Sequence, residues 1–180
     1  MNKHPRHIAI FVALMSAGIA TAADTNKSNS GNALPRADHS FITEAAKGGL
    51  AEVELGNLAK DKAQNQQVKD FAARMVQDHS KANDELKTIA SSKGVQLPTE
   101  VDKSTQKEKD KLSKLSGAKF DREYMSHMVK DHKKDVKEFS KEAKSAKDTE
   151  VKNFASTTLP TLQEHLQMAQ STEQAVKNSK

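Results

Sequence analysis

Residues 65–93, NQQVKDFAARMVQDHSKANDELKTIASSK, decide the fold class. Val68, Phe71, Met75, His79, Ala82, Leu86 and Ile89 recur every three or four residues, the spacing that gathers side chains on one face of an α-helix. Gly94 follows directly and reads as the stop, because a glycine accepts the left-handed backbone that ends many helices. One member of the stripe, His79, is not apolar.

The same period extends outward in both directions. Upstream, Phe41, Ala45, Gly49, Glu52, Gly56 and Ala59 predict a helix over 38–62 whose inward face is mostly small, so that a neighbouring helix can approach closely. Two or three residues separate it from the helix at 65–93, which makes the pair an antiparallel hairpin. Downstream, Leu97-Pro98-Thr99 breaks the pattern, and the lysine-rich 103–115, with Leu112 and Leu115, reads as a short exposed connecting helix. Phe120, Tyr124, Met128, His132, Val136 and Phe139 predict a helix over 118–146. Val151, Phe154, Thr158, Leu162, His165, Ala169 and Val176 predict another over 149–177, with Pro160 expected to kink it.

The sum is an all-α four-helix bundle over residues 38–177 with a short extra helix between its second and third members. Each long helix spans roughly 40 Å at about 1.5 Å per residue. Residues 94–117 are enough chain to cross that length, at about 3.3 Å per extended residue, so one long crossover and a plain up-down-up-down course both fit.

The amino terminus has a different character. Lys3 and Arg6 precede an apolar or small run from Ile8 to Ala20, and Ala20-Thr21-Ala22 offers small residues for cleavage. That plan predicts a secretory signal over 1–22 and a periplasmic mature protein. The run is short for a membrane span and no second one follows, so no transmembrane segment is expected after cleavage. Residues 23–37, rich in Asn, Ser and Gly, read as a flexible linker.

The chain has no cysteine, so packing rather than disulfides must hold it. One Tyr, six Phe and no Trp go with helix rather than sheet. Its 29 basic and 24 acidic residues give a net charge of +5, and loss of Lys3 and Arg6 with the signal lowers this to about +3, too mild to argue for nucleic acid.

The chemistry lies in what interrupts the apolar stripes. Glu52, His79, His132 and His165 fall on the inward seams of four different helices, all near mid-length. Neutral imidazoles and a carboxylate facing one another suit a divalent transition metal, Zn, Cu, Ni or Fe. Asp78, Asp131 and Glu164 each precede one of the histidines and are expected as supporting partners or extra ligands, although adjacency in a helix turns each about 100° away. The alternative is a buried, hydrogen-bonded polar cluster with no metal. Met75, Met125 and Met128 read as core filler, His127 as a boundary residue and His39 as lying near a helix start. No phosphate-cradling glycine loop or Ser/His/Asp signature is visible, so the reading leans away from an enzyme. Sequestration of a metal, stress tolerance or a protective interaction remains, with a homo-oligomer or a periplasmic protein as the open partner.

Several motifs carry a family resemblance: Phe41-(x)3-Ala45-(x)2-Gly48-Gly49-Leu50-Ala51-Glu52, Phe71-Ala72-(x)2-Met75-Val76-x-Asp78-His79, Gly117-(x)2-Phe120-Asp121-(x)2-Tyr124, Met128-Val129-(x)2-His132 and Leu159-Pro160-(x)4-His165. Over about residues 38–175 the chain resembles a bacterial family of unknown function whose members are exported, ferritin-like four-helix bundles often labelled outer-membrane or membrane proteins. The resemblance implies a ferritin-like fold and marks Glu52, His79, His132 and His165 as motif positions. It implies no settled activity. The chain departs from the di-iron ferritin pattern, since no histidine has Glu three residues before it. Nothing in it resembles the alternating strands of a barrel.

Overall fold

The computed structural model describes residues 34–178, and among them the structure is all-helical. The expected signal segment at 1–22 and most of the linker at 23–37 lie outside the described residues. Five helices follow in order: α1 Arg36–Lys62, α2 Gln66–Ser92, α3 Lys103–Ser113, α4 Gly117–Ser145 and α5 Thr149–Asn178. The four long helices and the short connecting one stand within two residues of where the periodicity places them.

Local chemistry explains most of the boundaries. Asn65 caps α2 by accepting the Gln67 N–H at 2.8 Å, and Asp102 caps α3 through the Thr105 N–H at 2.8 Å. Asp148 does the same for α5, accepting from Val151 at 3.1 Å. At the end of α2, Gly94 adopts φ 67°, the Val95 N–H returns to the Ala90 carbonyl at 2.9 Å and the Gly94 N–H to Ser91 at 3.2 Å. That pair of bonds satisfies carbonyls the helix leaves open. Pro160 leaves α5 unbroken as a helix, although its nitrogen cannot donate to the turn before it.

Two carboxylates set the topology. Asp121, near the start of α4, accepts the backbone N–H groups of Gln64 and Asn65 at 3.1 and 2.9 Å, in the turn between α1 and α2. Asp38, in the first turn of α1, accepts those of Lys147 and Asp148 at 2.9 and 2.7 Å, in the turn between α4 and α5. The start of α4 therefore lies beside the start of α2, and these two helices run parallel. The segment from Lys93 to Ser116 has to carry the chain back along the full bundle, which selects the long crossover over the up-down-up-down course. On the way α3 lies against α1: Lys109 pairs with Glu54, and Lys62 Nζ donates to the Ser113 carbonyl at 2.6 Å. Leu112 is buried, so α3 also contributes to the core.

The interior consists of two apolar cores stacked along the bundle. One gathers Leu55, Phe71, Met75, Phe120, Tyr124 and Met128, with Met125 and Ala169. The other gathers Ile42, Leu86, Ile89, Phe139, Phe154 and Leu162. On each long helix the residue between the two cores is polar: Glu52, His79, His132 and His165, all buried. The small face expected on α1 is used as such. A Cβ on Gly56 would stand 2.9 Å from Val76 Cγ2, and one on Gly49 would overlap the Asn83 side chain.

Candidate metal centre

Helical period alone delivers three imidazoles to one layer. His79 on α2, His132 on α4 and His165 on α5 have ring centroids 5.4 to 5.8 Å apart, and one ring nitrogen of each lies within 4.8 Å of one of the others. Three neutral nitrogens on a tetrahedral or trigonal ion would stand about 3.4 Å apart, given metal–nitrogen distances of about 2.0 Å.

Hydrogen bonds decide which ring edges are free. His132 Nδ1 lies 3.0 Å from the Met128 carbonyl, which can only accept, so Nδ1 carries the hydrogen and Nε2 keeps its lone pair. His165 Nε2 lies 2.9 Å from Asp78 Oδ2, so there Nε2 donates and Nδ1 keeps the lone pair. Those two nitrogens, His132 Nε2 and His165 Nδ1, are buried without a partner, and so is His79 Nε2.

Electrostatics keeps the rings neutral. Burial, followed by the neighbouring His132 and His165, lowers the His79 pKa to about 3. Burial lowers His132 to about 4 against the opposing Met128 hydrogen bond. His165 is also lowered by burial, with Asp78 pulling the other way. Burial pushes the Asp78 carboxyl up, but its hydrogen bonds with Arg74 and His165 outweigh that and hold it below the usual carboxylate range.

Glu52 does not join the three rings. It faces the Nδ1 edge of His132, with Oε1 3.5 Å away, on the side of the ring opposite the free Nε2. Its carboxylate groups instead with Asp131 and Asp135, one oxygen of each lying within 4.8 Å of the others. Glu52 is fully buried with both oxygens unpartnered. Burial first, then the charges of Asp131 and Asp135, raise its pKa well above the ordinary value. Burial and Asp131 raise Asp135 to about 7.

Of the three acidic neighbours read from the sequence, Asp78 supports a histidine on another helix rather than the one following it. Asp131 turns toward Glu52, and Glu164 is exposed. Asp135 was not singled out. Its signal is the run Tyr124, Met128, Asp131, Asp135, which lies along one α4 face at helical spacing. His127 is half-buried, 3.9 Å from Glu108, and His39 is exposed.

Two clefts reach the polar layer. One, of about 360 Å³, is lined by His79, Asp131 and Asp135. The other, of about 340 Å³, is lined by Asp78, His79 and His165. Both are bordered by Thr158 and Leu162, in the turns around Pro160. No helix among the described residues is long and apolar enough to cross a membrane.

Comparison with known proteins adds a family and a fold. Residues 23–172 match the family described as Domain of unknown function (DUF4142). The chain has no match among curated proteins. Among solved structures it is similar to a DUF305 fragment from Deinococcus radiodurans, with a TM-score of 0.69 at 12% identity over 82% of this chain and 100% of that one. It is also similar to CopM in its Cu(I)-bound form, with a TM-score of 0.65 at 19% identity over 77% and 96% of the two chains. The Ag-bound form of CopM gives 0.64 at 19% identity over the same shares. At such identities the likeness is one of fold.

Proposed function

The chain belongs to the DUF4142 family, whose description carries no activity, and we propose that it is an exported metal-binding bundle. In this reading His79 Nε2, His132 Nε2 and His165 Nδ1 hold a transition-metal ion in the periplasm, for sequestration or tolerance of metal stress. The observation that carries it is the set of three buried ring nitrogens, each without a hydrogen-bond partner, on three helices of one layer. A buried unpartnered polar atom costs about 1–3 kcal/mol, and one ion relieves all three. Asp78 and the Met128 carbonyl hold two of the rings by their far nitrogens, the arrangement that orients imidazole ligands in metal sites.

Three imidazoles suit Cu, Zn, Ni or Fe. The copper and silver of the CopM structures make Cu(I) the first ion to try. The clefts give the ion a way in and leave room for a fourth, exchangeable ligand. The ferritin-like character of the bundle, implied by the motifs, belongs to the same proposal.

The competing reading is a metal-free polar layer that serves packing. Equilibrium titration of the untagged mature chain with Cu(I), Zn(II), Ni(II) and Fe(II), beside a His79/His132/His165 triple-alanine variant, separates the two. The metal reading expects one tightly held ion per chain and its loss in the variant. Affinity unchanged by the triple substitution, or no binding by the parent, overturns it.

A further inference from the structure

We propose that Glu52, Asp131 and Asp135 form a second cation site, separate from the imidazoles, that takes a hard divalent ion through oxygen ligands. The three carboxylates come from α1 and from successive turns of α4, with one oxygen of each within 4.8 Å of the others. Acidic residues often cluster on surfaces without consequence; here the innermost member is fully buried, and both Glu52 oxygens lack a partner. A second buried group points the same way. The Tyr124 hydroxyl, also buried without a partner, lies close enough for the Glu52 charge to act on it.

Among the described residues no lysine, arginine or backbone N–H bonds to any of these three carboxylates. Ionised carboxylates only accept, and a protonated Glu52 can donate to Asp131 alone, so the remaining oxygens still lack a protein donor. A divalent ion among them supplies the missing charge and gives several oxygens a partner at once. Asp131 and Asp135 line the 360 Å³ cleft, and Glu44, Asp102, Glu108 and Glu138 line it further out. That ring of acids raises the local concentration of cations at the mouth. Three lysines border the same cleft, Lys47 bonding Glu44 at 2.6 Å, Lys134 lying 3.9 Å from Glu138, and Lys130, so the six acids there still outnumber the bases.

Donor type sets the selectivity. Oxygen ligands favour Mg(II), Ca(II) or Mn(II), whereas imidazoles favour softer ions, so the two clusters sort different metals within one layer. Glu52 touches both, through the 3.5 Å approach to His132 Nδ1. The proposal does not rest on the imidazole reading.

The test is Mn(II) binding to the metal-stripped chain, followed by electron paramagnetic resonance with detection of nitrogen coupling. The variants are Asp131→Asn/Asp135→Asn and His79→Gln/His165→Gln, with circular dichroism checking that each is folded. A single Mn(II) without imidazole nitrogen coupling is expected. The aspartate variant should weaken it by about tenfold or more, and the histidine variant should leave it within about threefold. No Mn(II) binding by the parent at millimolar concentration, equal binding by the aspartate variant, or nitrogen coupling lost with the histidines would each overturn the proposal. Should the aspartate variant not fold, Asp135→Ser alone carries the same comparison. Failure of the copper titration with retention of Mn(II) would remove the imidazole reading and leave this one standing.

Discussion

Asp78 on α2 accepts a hydrogen bond from Nε2 of His165 on α5, 2.9 Å away and 87 positions along the chain. Its other partner is Arg74, one turn earlier on its own helix. The bond fixes both the orientation of the His165 ring and its tautomer. Asp78→Asn keeps the shape but can offer an amide N–H to the ring, which would favour the wrong tautomer. The variant is expected to bind copper about ten- to a hundredfold more weakly while remaining folded, as read by competition with a chromophoric Cu(I) chelator. Affinity equal to the parent's would remove Asp78 from the site.

Proton competition at the imidazoles should set in late. A metal needs neutral rings, and an exposed histidine near its ordinary value of 6.5 loses affinity as pH falls through that range. His79 at about 3 and His132 at about 4 stay neutral well below it. His165 is lowered as well, with Asp78 opposing the shift. The fall in metal affinity should therefore set in at a lower pH than at an exposed histidine site, once competition from the buffer is corrected. A fall beginning near pH 6.5 would show rings far more exposed than those described.

Asp135 makes the opposite demand on the metal-free fold. Its folded value of about 7 stands above the unfolded 3.8, so between them the folded state binds more protons and stability falls as pH rises. Asp135→Asn removes that loss. In chelator, the unfolding free energy of the variant relative to the parent, read from thermal melts, should climb between pH 4 and pH 8 by an amount on the order of 1–3 kcal/mol once partial exposure is allowed for. A difference that stays constant across the range would contradict the shift.

Two glycines of α1 should respond in opposite directions to the same substitution. Nothing lies within 4 Å of a Cβ on Gly48, so Gly48→Ala should stabilise the helix by about 0.5–1 kcal/mol. A Cβ on Gly56 meets Val76 Cγ2 at 2.9 Å and the Ala72 carbonyl at 3.2 Å. Backbone and a β-branched side chain yield little, so Gly56→Ala should cost about 1–3 kcal/mol in spite of its better helix propensity. Thermal melts of both variants check the contrast.

Asp121 ties the second hairpin to the turn of the first. Asp121→Ala strands the Gln64 and Asn65 N–H groups and should cost about 2–4 kcal/mol in urea unfolding. The copper affinity of the folded fraction should stay unchanged, because the layer lies several turns away. Loss of affinity together with stability would instead tie the layer to this end of the bundle.

The four polar interruptions were legible because helical periodicity fixes which face a residue takes, whatever the partner. His79 breaks an otherwise apolar stripe, and the same pattern at His132 and His165 put three inward rings near mid-bundle before any contact was known. Capping chemistry was legible for the same local reason, as Gly94 illustrates. Periodicity is blind to which helix stands opposite, and that is where the reading of Glu52 as a fourth ligand meets the geometry. The carboxylate lies behind His132, beside two aspartates, one of which had drawn no attention.

By itself the sequence determined the five helices, their inward faces and the level at which the core turns polar, since all of these follow from interactions within about four residues. Tertiary structure decided the rest. Asp121 and Asp38 select the long crossover by bonding to turns far away in the chain. Asp78 and Met128 choose which nitrogen of each ring is free, because a hydrogen bond from one edge of an imidazole leaves the lone pair on the other.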